Sequence, residues 1–194
     1  MAVSTYPTTQ YPSEQFVESS GAILFNLTKT DSNSDSDPPS PHVCLIHYLP
    51  KDEWMLAKGR RNCHESRRDA ALREVEEETG YKCRLHPVTM DTRAPGIHEA
   101  NDVSDQARRY PGLTEPFMLT VREMGDGGVK LIWWFVAVVD GIPGDGDGNG
   151  SVPVGAGESD FRAEFFTFKE ALRRLSFRND RDVLERAIAL VQDS

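Results

Sequence analysis

Gly59-Arg60-Arg61-Asn62-Cys63-His64-Glu65-Ser66-Arg67-Arg68-Asp69-Ala70-Ala71-Leu72-Arg73-Glu74-Val75-Glu76-Glu77-Glu78-Thr79-Gly80-Tyr81 is the stretch on which the reading of this chain turns. Ser66 is a good N-cap with Asp69 three residues on, and Gly80 stands where a left-handed residue ends a helix, so the pattern predicts a helix over residues 67–79. At about 100° per residue, Glu74, Glu77 and Glu78 fall within an arc of about 100°, while Leu72, Val75 and Thr79 take another face suited to packing on a sheet. Glu74 and Glu78 form an i,i+4 like-charge pair, which costs about a few tenths of a kcal/mol. Glu77 and Glu78 also sit in the last turn, where the helix dipole disfavours each anion by about 0.3–1 kcal/mol. Arg73, four residues before Glu77, is the one helical counter-charge. A divalent cation would reverse the sign of this arrangement. Magnesium suits it, because it takes oxygen ligands from one or two carboxylates together with substrate phosphate.

Taken alone, an acidic run is a solvated helix face. Here Gly59 and Glu65 precede it at fixed distances, giving G-x5-E-x7-R-E-V-x-E-E-x-G-Y. At average composition such a match arises by chance roughly once in ten million chains or more rarely. The segment resembles the Nudix box, G-x5-E-x7-R-E-U-x-E-E-x-G-U with U a bulky apolar residue. Every specified position is present, with the aromatic Tyr81 at the last. The resemblance implies an α/β fold, an α/β/α sandwich around a mixed sheet, with the box as a loop–helix–loop. It also implies hydrolysis of a diphosphate linkage with Mg2+, for which Mn2+ can substitute. By the same resemblance Glu74 and Glu78 are the main metal ligands. Glu77 adds a ligand or orients water, Glu65 braces the site and pairs with Arg73, and the Lys58 carbonyl reaches the metal. Basic side chains then steady the phosphates. Lys58, Arg60 and Arg61 beside the box, then Arg93 and Lys130, are the candidates. A general base can come from outside the box, from Glu115, Glu123 or Glu158.

The approach Trp54-Met55-Leu56-Ala57-Lys58-Gly59-Arg60 looks like that of Nudix enzymes acting on dinucleoside polyphosphates and diphosphoinositol polyphosphates, with Ala57 where those usually have proline. Leu175-Ser176-Phe177 followed by Asp180-Arg181 is also similar to that group. The alternatives are a nucleotide-sugar or other nucleoside-diphosphate-linked substrate, a non-catalytic Nudix ligand sensor, and a structural protein with an acidic helix. Retention of all box carboxylates argues against the last two.

Working outward, 22 basic against 31 acidic side chains give a net charge of −9. That field repels a nucleic-acid polymer or an anionic membrane, but not a small diphosphate-containing anion met by local basic side chains and metal. The three cysteines, Cys44, Cys63 and Cys83, form no CxxC pair and suggest free thiols in a cytoplasmic protein, with nuclear entry left open. No feature of the sequence sets an oligomeric state. Residues 1–15 are expected to be a flexible tail and residues 16–192 a single domain, with flexible loops at about 28–41, 91–116 and 140–157. Strands are expected at Ala22-Ile23-Leu24-Phe25 within 16–27, over 42–49, 54–57, 82–90 and 165–168, and as a hairpin over 117–123 and 129–139. Helices follow at 169–175 and 180–192, the last with a stripe of Val183, Leu184, Ala187, Ile188 and Val191. Asp145-Gly146-Asp147-Gly148-Asn149-Gly150 imitates half of a calcium loop, but Ala156 stands where a bidentate glutamate is needed. In Trp133-Trp134-Phe135, strand alternation sends one Trp to the core and leaves the other free to stack on a ligand.

Overall fold

The computed structural model describes residues 5–27, 41–96, 98–100, 102–125, 127–140 and 160–193. Residues 28–40 and 141–159, which hold most of two expected loops, the calcium-loop mimic and Glu158, lie outside the described residues. In chain order the elements are β1 (Phe16–Asn26), β2 (His42–Tyr48), β3 (Glu53–Met55), β4 (Lys58–Arg60), α1 (Arg67–Thr79), β5 (Cys83–Leu85), β6 (Val88–Thr92), β7 (Arg108–Leu113), β8 (Met118–Glu123), β9 (Val129–Val139), β10 (Phe161–Thr167), α2 (Phe168–Arg174) and α3 (Arg178–Gln192).

The centre is a parallel pair, β1 and β9, in unbroken register from Phe16 opposite Val129 to Phe25 opposite Val138. Both strands carry continuous apolar runs, as strands covered on two faces must. The outer edge of β1 is shared, with β4 pairing residues 19–21 and β2 pairing Phe25 and Asn26, all antiparallel. The outer edge of β9 is shared in the same way by β8 and β5. β10 and β3 complete the eight-stranded mixed sheet along β2.

Alternation along β1 and β9 divides the core into two layers. Ala22, Leu24, Phe135 and Ala137 meet Ala71 and Val75 of α1 on one face. Ile23, Phe25, Ile132, Trp134 and Val136 meet Ala171 of α2 and Val183, Leu184, Ala187 and Ile188 of α3 on the other. This is the expected α/β/α sandwich. Each fully buried Leu- or Ile-sized side chain stabilises it by roughly 1.5–3 kcal/mol.

Three local expectations change. The strand expected at 82–90 is broken at His86-Pro87. Here β5 pairs with β9, the His86 N–H makes a last bond to the Val136 carbonyl at 2.9 Å, and β6 leaves the sheet. Pro87, which has no N–H, cannot continue the ladder. The expected loop at 91–116 contains β7, which pairs with β6 across a register shift at Val88/Met90. β10 begins at Phe161, four residues ahead of the expected strand. All three cysteines are free. Burial pushes the Cys44 thiol up strongly and that of Cys83 up to about 12, which holds both as protonated, inert thiols. No helix among the described residues is long and apolar enough to cross a membrane.

Candidate active site

The helix forms where its caps place it. Ser66 Oγ accepts from the Asp69 N–H at 3.1 Å, and Gly80 adopts φ 75° while its N–H bonds the Glu76 carbonyl at 2.8 Å. Ala70, Ala71, Val75 and Thr79 are buried and Leu72 is half-buried, so the packing face is turned slightly from the expected Leu72–Val75–Thr79 line. The turn before the helix needs His64 at φ 65°, and the Asn62 N–H bonds Glu65 Oε2 at 2.8 Å.

Arg73 organises the carboxylates. Its Nε and Nη2 donate to the two oxygens of Glu65 at 2.7 and 3.0 Å, a bidentate fork. Its Nη1 donates to Glu74 Oε1 at 2.7 Å and to Glu77 Oε2 at 2.8 Å, and Nη2 also reaches the Arg60 carbonyl at 2.9 Å. The Arg73 fork holds the Glu65 carboxyl below its ordinary range. Burial pushes Glu74 up, against the opposing pull of Arg73. The Lys58 N–H donates to Glu78 Oε2 at 2.8 Å, so the strand before the box fixes the third carboxylate. A Cβ at Gly59 would overlap the Glu74 carboxylate, so only glycine leaves that carboxylate where it stands.

Among the described residues no three acidic, histidine or cysteine side chains stand as a ready-made metal cage. Arg73 instead lies between Glu74 and Glu77 and takes one oxygen of each. The donor set nonetheless fits a hard cation. Glu74, Glu77 and Glu78 offer oxygen alone, from one helix, and the missing Cβ of Gly59 admits the Glu74 carboxylate.

The basic residues divide. Lys58 stands opposite Gly21 and Arg60 opposite Ser19 across β4 and β1. Lys130 stands opposite Arg122 across β9 and β8. Burial lowers Lys130, and Lys58, Arg122 and Arg60 lower it further, while Glu74 opposes them. Lys58, Arg60 and Lys130 therefore converge, with Arg122 as a member that the sequence reading missed. Its signal was the hairpin register, which sets Arg122 beside Lys130. Arg61 turns to Glu18, at 3.0 Å, and to the Glu65 carbonyl, at 2.9 Å. Arg93 pairs with Asp105 at 2.8 Å on the exposed segment between β6 and β7. Glu115 and Glu123 are both exposed, flanking and ending β8.

Glu18 is a second missed residue. It accepts from Arg61, from Arg67 at 2.5 Å and from Trp133 Nε1 at 3.1 Å. Arg67 covers the Trp133 ring at 4.1 Å, so this Trp lies under the first turn of α1. Trp134 is buried and donates to Thr120 Oγ1 at 3.0 Å.

The sequence profile of the NUDIX domain matches residues 35–187. An 8-oxo-(d)GTP phosphatase from Mycolicibacterium smegmatis is 25% identical over 176 residues, 91% of this chain and 42% of that protein, so the chain spans about two fifths of its relative. An Ap4A hydrolase from C. elegans superposes with a TM-score of 0.53 at 13% identity, over 90% of this chain and 98% of that one. A NUDIX family hydrolase from Clostridium perfringens gives a TM-score of 0.55 at 13% identity, over 93% and 99%. With the profile match covering most of its length and the box complete from Gly59 to Tyr81, the chain belongs to the Nudix family of hydrolases.

Proposed function

We propose that this chain hydrolyses a diphosphate linkage in a small, highly phosphorylated substrate, a dinucleoside polyphosphate or a diphosphoinositol polyphosphate, with Mg2+ or its substitute Mn2+. The observation that carries this reading is the Arg73-centred array of Glu65, Glu74 and Glu77, set against Gly59 and neighboured by Lys58, Arg60 and Lys130.

Glu74, Glu77 and Glu78 would hold the cation, with the Lys58 carbonyl beside them. When bound there, a divalent cation would supply charge to offset the phosphate oxygens and would lower the pKa of water towards neutral. Arg73 acts as a positioning residue. Its guanidinium keeps Glu74 and Glu77 oriented and is itself anchored by both oxygens of Glu65. The Lys58 N–H does the same for Glu78. Lys58 and Arg60 bind the diphosphate and offset the charge that builds on the leaving group, and Lys130 meets a phosphate farther from the box. Arg61 is committed to Glu18 and braces the box loop rather than the ligand.

A nucleoside triphosphate is the second reading, favoured by the relative named as an 8-oxo-(d)GTP phosphatase. A screen of diphosphate-containing compounds with Mg2+ or Mn2+, read by product mass, decides between them and shows which phosphorus was attacked. Glu78→Gln and Glu74→Gln are each expected to lower kcat by about a hundredfold or more with the circular dichroism spectrum retained, on the scale of losing one stabilising group at a reacting centre. Full activity in both variants would overturn the assignment of these carboxylates.

A further inference from the structure

Ser19 and Ser20 are fully buried on β1, and neither hydroxyl has a hydrogen-bond partner among the described residues. Leaving such a group unpaired costs about 1–3 kcal/mol. The two point to opposite faces. Ser20 lies opposite Gly59, whose side meets Glu74 of α1. Ser19 shares the α3 face with Ile23 and Phe25, and its direct neighbours are Arg60 on β4 and Ile132 on β9.

That face carries a row of cations. A Cβ on Gly21 would meet both Lys58 Cβ and the Trp134 ring, which fixes Lys58 to the α3 side. Arg60, opposite Ser19, follows it, and Lys130 and Arg122 stand one pleat beyond Ile132 and Thr120. None of the four makes an ion pair within 4.0 Å with a described residue, whereas Arg61, Arg67 and Arg73 on the other face all do. Carboxylates face the row as well: Glu74 acts on Lys130, Asp180 at the start of α3 feels Lys58 and Arg122, and Glu78 accepts from the Lys58 N–H. The row is also long. Strands lie about 4.8 Å apart, so β9 stands about 10 Å and β8 about 14 Å from β4.

We infer that Arg122 and Lys130 form a second phosphate site. It takes a phosphate beyond the diphosphate held at Lys58, Arg60 and the α1 carboxylates, so the chain selects substrates bearing three or more phosphates. The inference rests on the diphosphate reading for what lies at the box. Arg122 is the specificity-determining residue, because it stands farthest from β4 and is exposed to an incoming ligand.

The test is calorimetric titration of the full chain with tripolyphosphate and with pyrophosphate, in EDTA, so that neither metal nor turnover enters. Wild type is expected to prefer tripolyphosphate. Arg122→Gln is expected to reduce that preference about tenfold, the scale of one hydrogen bond to a charged group, and Lys130→Met to do likewise. Should Lys130→Met fail to fold, Arg122→Gln decides, since Arg122 is exposed. Equal weakening of both anions, an unchanged preference in Arg122→Gln, or no binding of either anion by wild type would each overturn the inference. Hydrolysis is read separately with Mg2+. Its absence beside an intact tripolyphosphate preference would remove the enzymatic reading and leave the second site standing.

Discussion

The two faces of β1 carry charge in opposite ways. Towards α1, Glu18, Arg61, Glu65, Arg67 and Arg73 are tied together by ion pairs of 2.5 to 3.0 Å. Towards α3, Lys58, Arg60, Arg122 and Lys130 stand near one another without an ion pair to a described residue. The first is a finished framework, whose electrostatics are satisfied within the chain. The second is a set of like charges that add to burial in lowering the proton affinity of Lys130, with Glu74 in opposition. One strand thus separates paired charge from charge without an ion pair.

Among substitutions outside the carboxylates themselves, the largest expected effect comes from Gly59→Ala. A Cβ there collides with the Glu74 carboxylate, and a displacement of about 1 Å at a reacting centre costs about a hundredfold in rate. Activity should fall by that order while the thermal midpoint moves by only a few degrees. Wild-type kinetics in this variant would mean that Glu74 has no fixed place. Arg73→Met should come next. It strips the counter-charge from Glu65, Glu74 and Glu77 at once, and denaturant unfolding should show a loss of about 2–3 kcal/mol, discounted from the value for a fully buried pair because Arg73 is about a quarter exposed. A loss under half a kcal/mol would show that the framework is not the braced face described.

Glu18→Gln should have the smallest effect, about 1–2 kcal/mol at neutral pH, as one charge-assisted network is weakened. Its signature lies in acid. Burial pulls the Glu18 carboxyl upward, but hydrogen bonds from Arg67, Trp133 and Arg61 outweigh it and hold the group below its ordinary value of 4.5. A carboxylate lowered on folding contributes stability that is complete above the ordinary value and is lost as pH falls through the folded one. Wild type should therefore lose stability below about pH 4.5 along a limb that is shallower in Glu18→Gln. Parallel limbs would place the acid sensitivity elsewhere.

Much of the framework face was legible because its signals are local. Ser66, Asp69 and Gly80 mark the ends of α1, and Glu65, Arg73 and Glu77 are spaced to meet across a turn and its approach. The hairpin of β8 and β9 was equally plain from its Gly-rich turn. What stayed hidden depends on pairings far apart in sequence. Glu18 meets Arg61, Arg67 and Trp133 across 43 to 115 residues. Lys58 and Lys130 come together only because β1 lies between β4 and β9. β7 was masked by its own composition, since Arg108, Arg109, Pro111 and Gly112 do not alternate and Gly112 needs φ 70°. β4 is three residues long and polar at both ends, too short to register as a strand by pattern.

The unbroken pairing of β1 with β9 sets a limit on how this protein can vary. Glu18, Ser19, Ser20 and Gly21 are consecutive, and each is committed to the side that its neighbour does not use. Removing or adding a single residue there would shift the phase of the strand, sending Glu18 towards the cation row and Ser19 towards the helix. Change along this segment must come by substitution, never by length.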